Sequence, residues 1–276
     1  MKYLLVYIWT LLVFVNFGCQ EPPPPLTWKS PRQEAEHWFE MQTDYFMGSR
    51  QSQYFLSKSL EADPTFARAW MQKALPHLQK GEFAQGFKYL DKAVELNRLE
   101  YLGYRGCAKL YYLHDSKGAL KDLIELDSMT PNFTDAPWGR DIYYTMGIAE
   151  KRRGDLLSAY MYFNRSILNT TKEKGEDWVE VKVFLYRGIV RLELGDATGA
   201  IEDFEKGIQY FDKFMEAHYY KGKALLELDQ KENACKNFAK AKEFLTAGYS
   251  YSNQMYSMTE EVLMDDILHY LNMCNN

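Results

Sequence analysis

The chain has 276 residues, 46% of them hydrophobic and 16% aromatic, with 21 Tyr, 16 Phe and 6 Trp. A disordered chain lacks that much apolar area, so the body of the protein packs a core. The 38 acidic and 33 basic side chains give a formal charge of −5, which exerts no broad attraction on nucleic acid or an anionic membrane, and neither is expected as a partner of the body.

Lys2 is followed by an apolar run from Tyr3 to Phe17, then by Gly18 and Cys19. About 15 residues fall short of the ~20 that a spanning helix needs, and Gly18 supplies the small residue a signal peptidase requires, so residues 1–18 read as an export signal that is removed. A cysteine directly after the small residue resembles the lipobox of bacterial lipoproteins, although Asn16 and Phe17 depart from that pattern. The resemblance implies that Cys19 is acylated and that the exported chain is anchored to a bacterial membrane, at the outer membrane or on the periplasmic side. Pro22 to Pro25 favour an extended polyproline segment, so residues 19–32 read as a semi-rigid tether.

The body from residue 33 is periodic. Gly188, Asp196, Ala200 and Phe204 recur as Gly222, Gln230, Ala234 and Phe238, each 34 positions later, and Gly147, Ala159 and Phe163 repeat the spacing. Between the small residue and the alanine stands a turn, Leu194-Gly195-Asp196 or Arg153-Gly154-Asp155. Glycine inside a helix costs about 1 kcal/mol relative to alanine, a cost offset where a second helix must come close. Each unit therefore reads as two antiparallel helices meeting at small residues, with aromatics at helical spacing filling the rest of the contact. Trp70, Lys80-Gly81-Glu82, Lys92-Ala93-Val94-Glu95-Leu96 and the ending Leu60-Glu61-Ala62-Asp63-Pro64 complete a pattern that resembles the tetratricopeptide repeat family. The resemblance implies an all-α fold, a right-handed α-solenoid of about six helix-turn-helix repeats over residues 33–248, in registers 33–66, 67–100, 100–133, 140–173, 181–214 and 215–248.

Departures from the period carry their own expectations. The first copy lacks the glycine and alanine landmarks and reads as a degenerate cap. Pro76 falls inside a helix and should kink it. The third copy holds one extra residue near Leu113-His114-Asp115. Of two insertions, Thr134 to Gly139 reads as a loop, and Lys174 to Glu180 reads as lengthening the flanking helices, with Glu176, Asp177 and Trp178 entering the next one. Beyond residue 248, residues 249–276 supply a C-terminal capping helix over about Met258 to Met273, with Val262, Leu263, Ile267, Tyr270 and Leu271 inward and Glu260, Glu261, Asp265 and Asp266 wet.

Cys107, Cys235 and Cys274 remain after Cys19. An antiparallel cap helix of about 16 residues would return Cys274 to the level of Cys235, which permits a bridge, although two buried unpaired thiols are the favoured arrangement. With no CxxC, HExxH or GxSxG, no glycine-rich phosphate loop, and His37, His77, His114, His218 and His269 scattered one per segment, the sequence offers no catalytic constellation, metal site or cofactor site. The expectation is a non-catalytic scaffold. By the family's register, the first helix of each pair lines a concave groove that holds an extended peptide or a partner helix. The positions so implied are Arg68, Met71 and Leu75, then Asp141, Tyr144, Ile148, Lys151 and Arg152, then Lys182, Leu185 and Ile189, then Tyr219 and Lys223. Their mixture of tyrosines and cations suits an acidic or C-terminal peptide, and the alternative is a glycan- or peptidoglycan-handling accessory that stacks sugars on the groove aromatics.

Overall fold

The computed structural model describes residues 27–131, 133–250 and 261–274. The expected export signal, Cys19 with its acyl anchor, and the four prolines lie outside the described residues. Within them the chain is helical, and twelve helices form six antiparallel pairs: α1 (Pro31–Met41) with α2 (Arg50–Ala62), α3 (Ala67–Gln79) with α4 (Phe83–Leu96), α5 (Arg98–Tyr112) with α6 (Ser116–Met129), α7 (Ile142–Arg153) with α8 (Leu156–Glu173), α9 (Val181–Glu193) with α10 (Ala197–Tyr210), and α11 (Met215–Glu227) with α12 (Lys231–Thr246). A final helix, α13 (Met264–Cys274), packs on α12. Each pair also packs on the next, and the first helices touch across modules, α3 on α5, α5 on α7, α7 on α9 and α9 on α11. The result is an all-helical solenoid with an inner row of first helices and an outer row of second helices.

The glycines do what the repeat requires. A Cβ added to Gly147, Gly188 or Gly222 would come within 2.6–2.7 Å of the ring of Phe163, Phe204 or Phe238 in the same module. Those rings are wholly buried, as are Ala159, Ala200 and Ala234. Close approach of the two helices therefore depends on the bare glycine backbone, and the phenylalanine fills the space it leaves. The turns follow one rule as well. Gly81, His114, Gly154, Gly195 and Asp229 each take the left-handed conformation between the two helices of their module. Where the next residue is Asp115, Asp155 or Asp196, its carboxylate accepts the backbone N–H three residues on and caps the second helix.

A second repeating device ties the modules together along the outer side. The residue before each inner-helix small position reaches back to the preceding outer helix: Lys73 to Ser57 at 2.7 Å, Arg105 to Asp91 at 2.9 Å, Arg187 to Asn164 at 2.8 Å, and Lys221 to Glu205 at 2.7 Å. Arg105 and Arg187 also grip buried Asp122 and Asp203 in their own module with bidentate geometry. At the junction of the third and fourth modules the same two positions hold Met146, buried, and Ile124, exposed.

Several expectations change. Helix α3 runs through Pro76 to Gln79, so the proline sits within a continuous helix near its end. Glu176–Trp178 form a separate 3₁₀ turn, because Gly175 at φ +111° stops α8 and does not let those residues join α9. Thr134–Gly139 is a loop that closes with a 3₁₀ turn over Pro137–Gly139. The last helix starts at Met264, after Val262 and Leu263. Val262 and Ile267 are buried and Leu263 is exposed, since Asp266 accepts the Leu263 N–H at the helix start. Cys235 and Cys274 are joined as a disulfide with Cα atoms 5.9 Å apart, in place of two free thiols, and Tyr270 stacks on Phe238 beside it at 4.7 Å. Cys107 is the buried thiol of the described residues, its pKa pushed up to about 12 by burial.

Candidate functional site

The inner row is where the family resemblance places recognition, and its helices are unlike the outer ones. Residues Ile142 to Glu150 of α7 are buried without a break, as are Lys182 to Tyr186 of α9 and Met215 to Tyr220 of α11. A helix covered by two neighbouring modules and by its own outer helix has little free face left.

The groove residues divide accordingly. Tyr144 is 1% exposed, with its ring edge-on to Tyr186 at 6.0 Å and tilted against Phe163 at 6.1 Å. Met71, Tyr219, Lys182, Ile148, Leu185 and Ile189 are buried as well. Tyr219 meets Tyr220, Phe238 and Tyr270. These positions are core, and the expectation that they present a binding surface is corrected. The family register counts them inward, and inward here means into the contact between modules. The face of neither Tyr144 nor Tyr219 is open for a sugar ring. Asp141 is the N-cap of α7, accepting the N–H groups of Tyr143 and Tyr144 at 2.7 and 3.0 Å, and burial raises its pKa.

Arg68, Lys151, Arg152 and Lys223 keep accessible surface. Arg68 is exposed at the start of α3, its guanidinium 4.7 Å above the ring of Phe39. It borders a concavity of about 320 Å³ with Thr65, Asn97 and Glu100. Lys151 pairs with Glu193 of α9 at 3.0 Å, and Arg152 donates to the Leu110 carbonyl of α5 at 2.9 Å, so both tie inner helices to each other. The ammonium of Lys223 lies over Tyr219 and Tyr220, 5.8 and 5.3 Å from the ring centres.

Behind these lies a cluster that register counting misses. Tyr111, Tyr144 and Tyr186 stand on successive inner helices, Tyr144 edge-on to Tyr186, with the Arg140 guanidinium 5.9 Å from the Tyr111 ring centre. Burial works against the charge of Arg140, but Tyr111, Tyr144 and Glu180 offset it and hold its pKa above the ordinary guanidinium value. Burial raises Tyr144 well above an ordinary phenol, with Tyr186 and Tyr111 adding to it. Burial lowers Lys182 and Arg152. Arg140 opens the fourth repeat register directly after the inserted loop, two residues before α7, at a position that carries none of the repeat's landmark residues, so periodicity could not find it. The adjacent insertion was its signal. The cluster holds phenols and cations, which bind by hydrogen bonding and charge, and among the described residues no group of three or more His, Cys, Asp or Glu is placed to hold a metal ion.

On the outer side a cleft of about 1020 Å³ opens between α10 and α12, floored by Ile201, Ile208 and Leu225. His218 at its base is buried, with Nδ1 3.1 Å from Asn237 Oδ1, and burial lowers its pKa.

Comparison with known proteins places this geometry. A family model described as tetratricopeptide repeat matches residues 67–98, the α3–α4 pair. The chain carries a tetratricopeptide repeat. The remaining modules extend that fold as a tetratricopeptide-like solenoid, to which solved structures are similar. The Cut9–Hcn1 hetero-tetramer of APC/C aligns over 88% of this chain at 16% identity with a TM-score of 0.61, and the match covers 43% of that longer chain. PilW, described as a type IV pilus biogenesis factor, aligns over 79% of this chain and 96% of its own at 16% identity and TM-score 0.62. YrrB, a tetratricopeptide protein described with an unusual peptide-binding site, aligns over 73% and 95% at 16% identity and TM-score 0.54. At such identities the likeness is one of fold. No curated protein matches the sequence. Among the described residues no helix is long and apolar enough to cross a membrane.

Proposed function

We propose that the protein is a non-catalytic docking scaffold, anchored through acylated Cys19 to a membrane of the bacterial cell envelope, whose inner row holds an extended peptide or helix of a protein partner. The observation that carries the reading is the continuous row α3, α5, α7, α9 and α11, each touching the next, with Arg68, Lys151, Arg152 and Lys223 at its accessible positions. Tetratricopeptide proteins bind protein or peptide partners, and the similarity in fold to YrrB, with its peptide-binding site, and to PilW supports the same use here. Cations beside tyrosines suit carboxylates on that partner. Tyr144 and Tyr219, the groove tyrosines that sugar stacking was expected to use, are spent on packing.

Crosslinking in intact cells followed by mass spectrometry tests the scaffold reading. Arg68→Glu with Lys223→Glu should reduce capture of the partner at least fivefold while the melting temperature holds, and equal capture would remove the interface from the inner row. Anchoring is tested separately. Cys19→Ala should release the chain from the membrane fraction, and unchanged retention would defeat the acylation reading.

A further inference from the structure

The outer face of α8 breaks the pattern that α6, α10 and α12 keep. Counting from the small residue that packs against the inner helix, positions two before, two after and nine after are Leu157, Met161 and Leu168, exposed by 67%, 69% and 59%. The same positions read Lys117, Lys121 and Ser128 on α6, Thr198, Glu202 and Gln209 on α10, and Glu232, Lys236 and Glu243 on α12, all exposed. On α6, Ile124 is 47% exposed at the junction where the polar tie between modules is replaced by an apolar pair. Three exposed apolar side chains in line on one helix, at positions that are polar on α6, α10 and α12, mark a contact surface.

The spacing of the stripe and the charge of its flanks point to the occupant. Leu157, Met161 and Leu168 are separated by four and seven residues, which puts them on one face of α8 at the spacing of a two-helix coiled-coil seam. On one side of the stripe, α6 presents Lys117 and Lys121. On the other, α10 presents Glu202 and Glu205. A two-fold axis running along α8 sets the helix parallel to its own copy and turns α6 of each chain toward α10 of the other. Lys121 and Glu202 occupy the same height on their helices, two residues past Ala119 and Ala200, so each basic flank meets an acidic one, twice.

We propose that the chain self-associates through the outer face of α8, two copies lying parallel with Leu157, Met161 and Leu168 against their counterparts. One helix face buries less than the roughly 1,200–2,000 Å² of a standard stable interface, so the pairing is a reversible one that leaves the inner rows of both copies facing away from it.

The test uses the full chain with one introduced thiol. Met161→Cys, with Cys19→Ala to remove the competing thiol, should give a covalent dimer under mild oxidation at least fivefold above Lys236→Cys, the same position on α12. Lys121→Glu in that background should lower the yield at least threefold, and adding Glu202→Lys should restore it. Equal yields from the 161 and 236 thiols would overturn the proposal, as would a 161 dimer indifferent to both charge changes, which would indicate apolar contact of another geometry. Circular dichroism melting of each variant should match the parent, because all four positions are exposed.

Discussion

The inner and outer rows of this solenoid have similar helix lengths and opposite surroundings. Outer helices such as α10 bury one stripe, Ala200, Asp203, Phe204 and Gly207, and leave Glu202 and Glu205 in water. The inner helix α7 buries nine consecutive residues, including Tyr143, Tyr144 and Glu150. The difference teaches that the register which labels inner-helix positions as groove lining does not say how much of the groove the modules themselves fill. In this protein most of the aromatic and apolar inward positions build the core, and cations such as Arg68 and Lys223 hold the row's accessible points.

The comparison breaks most visibly if the inner row is truncated. Tyr144→Ala should cost about 3–5 kcal/mol of stability, the range for removing a large buried ring, whereas Glu202→Ala on the outer row should stay within about 0.5 kcal/mol, both read from denaturant midpoints. Asp203→Ala comes next. It leaves the guanidinium of Arg187, 15% exposed, without its bidentate partner, and should cost roughly 3 kcal/mol. Burial raises the pKa of Asp203 in spite of Arg187, so its charged form is the one the fold disfavours. That group's contribution to stability is complete below the unfolded aspartate pKa and declines as pH rises through the higher folded value.

Much of this was legible in the sequence and some was not, for reasons of scale. The 34-residue recurrence of Gly188, Ala200 and Phe204 encodes the helix pairs because one glycine–phenylalanine contact is copied with the repeat. The left-handed turn residues are visible where they are glycine, at 81, 154 and 195, and hidden where His114 and Asp229 take that conformation. The accessible half of the candidate site, Arg68 and Lys223, follows from register. Its buried half does not, since exposure depends on how the neighbouring modules close over each helix, a property of the whole array. Arg140 stands at the edge of an insertion, at the first residue of its register, where no repeat landmark falls.

The two ends sharpen the contrast with the middle. At the C-terminus, Cys235→Ser should cost about 2–4 kcal/mol and loosen α13 first, which hydrogen exchange would register as faster exchange over residues 264–274 while α7 and α9 stay protected. The N-terminal module has its own small core of Ala35, Phe39, Leu56, Leu60, Phe66 and Ala69, and polar ties stand in for the glycine contacts. Ser59 donates to the Ala35 carbonyl at 2.7 Å, so Ser59→Ala should cost about 1–2 kcal/mol. Asp63 in that module behaves oppositely to Asp203. Burial works against its charge, but hydrogen bonds from Thr65 and the Arg32 guanidinium at 2.8 Å outweigh it and lower the pKa. Its stabilisation is present above the unfolded value near 3.8 and lost as pH falls through the lower folded value. Hydrogen exchange of α1 and α2 should therefore quicken on acidification below about pH 4, less steeply in Asp63→Asn. A small effect also belongs to Lys151→Ala, read from the denaturant midpoint, because its pairing with partly exposed Glu193 contributes no more than about 1 kcal/mol.

The most direct test of the scaffold account places a photo-activated crosslinking residue in intact cells at inner-row positions 68 and 223 and at outer-row position 236. The account predicts that both inner positions capture the same heterologous protein and that position 236 does not. Capture of that protein from position 236, with nothing attached at 68 or 223, would contradict it.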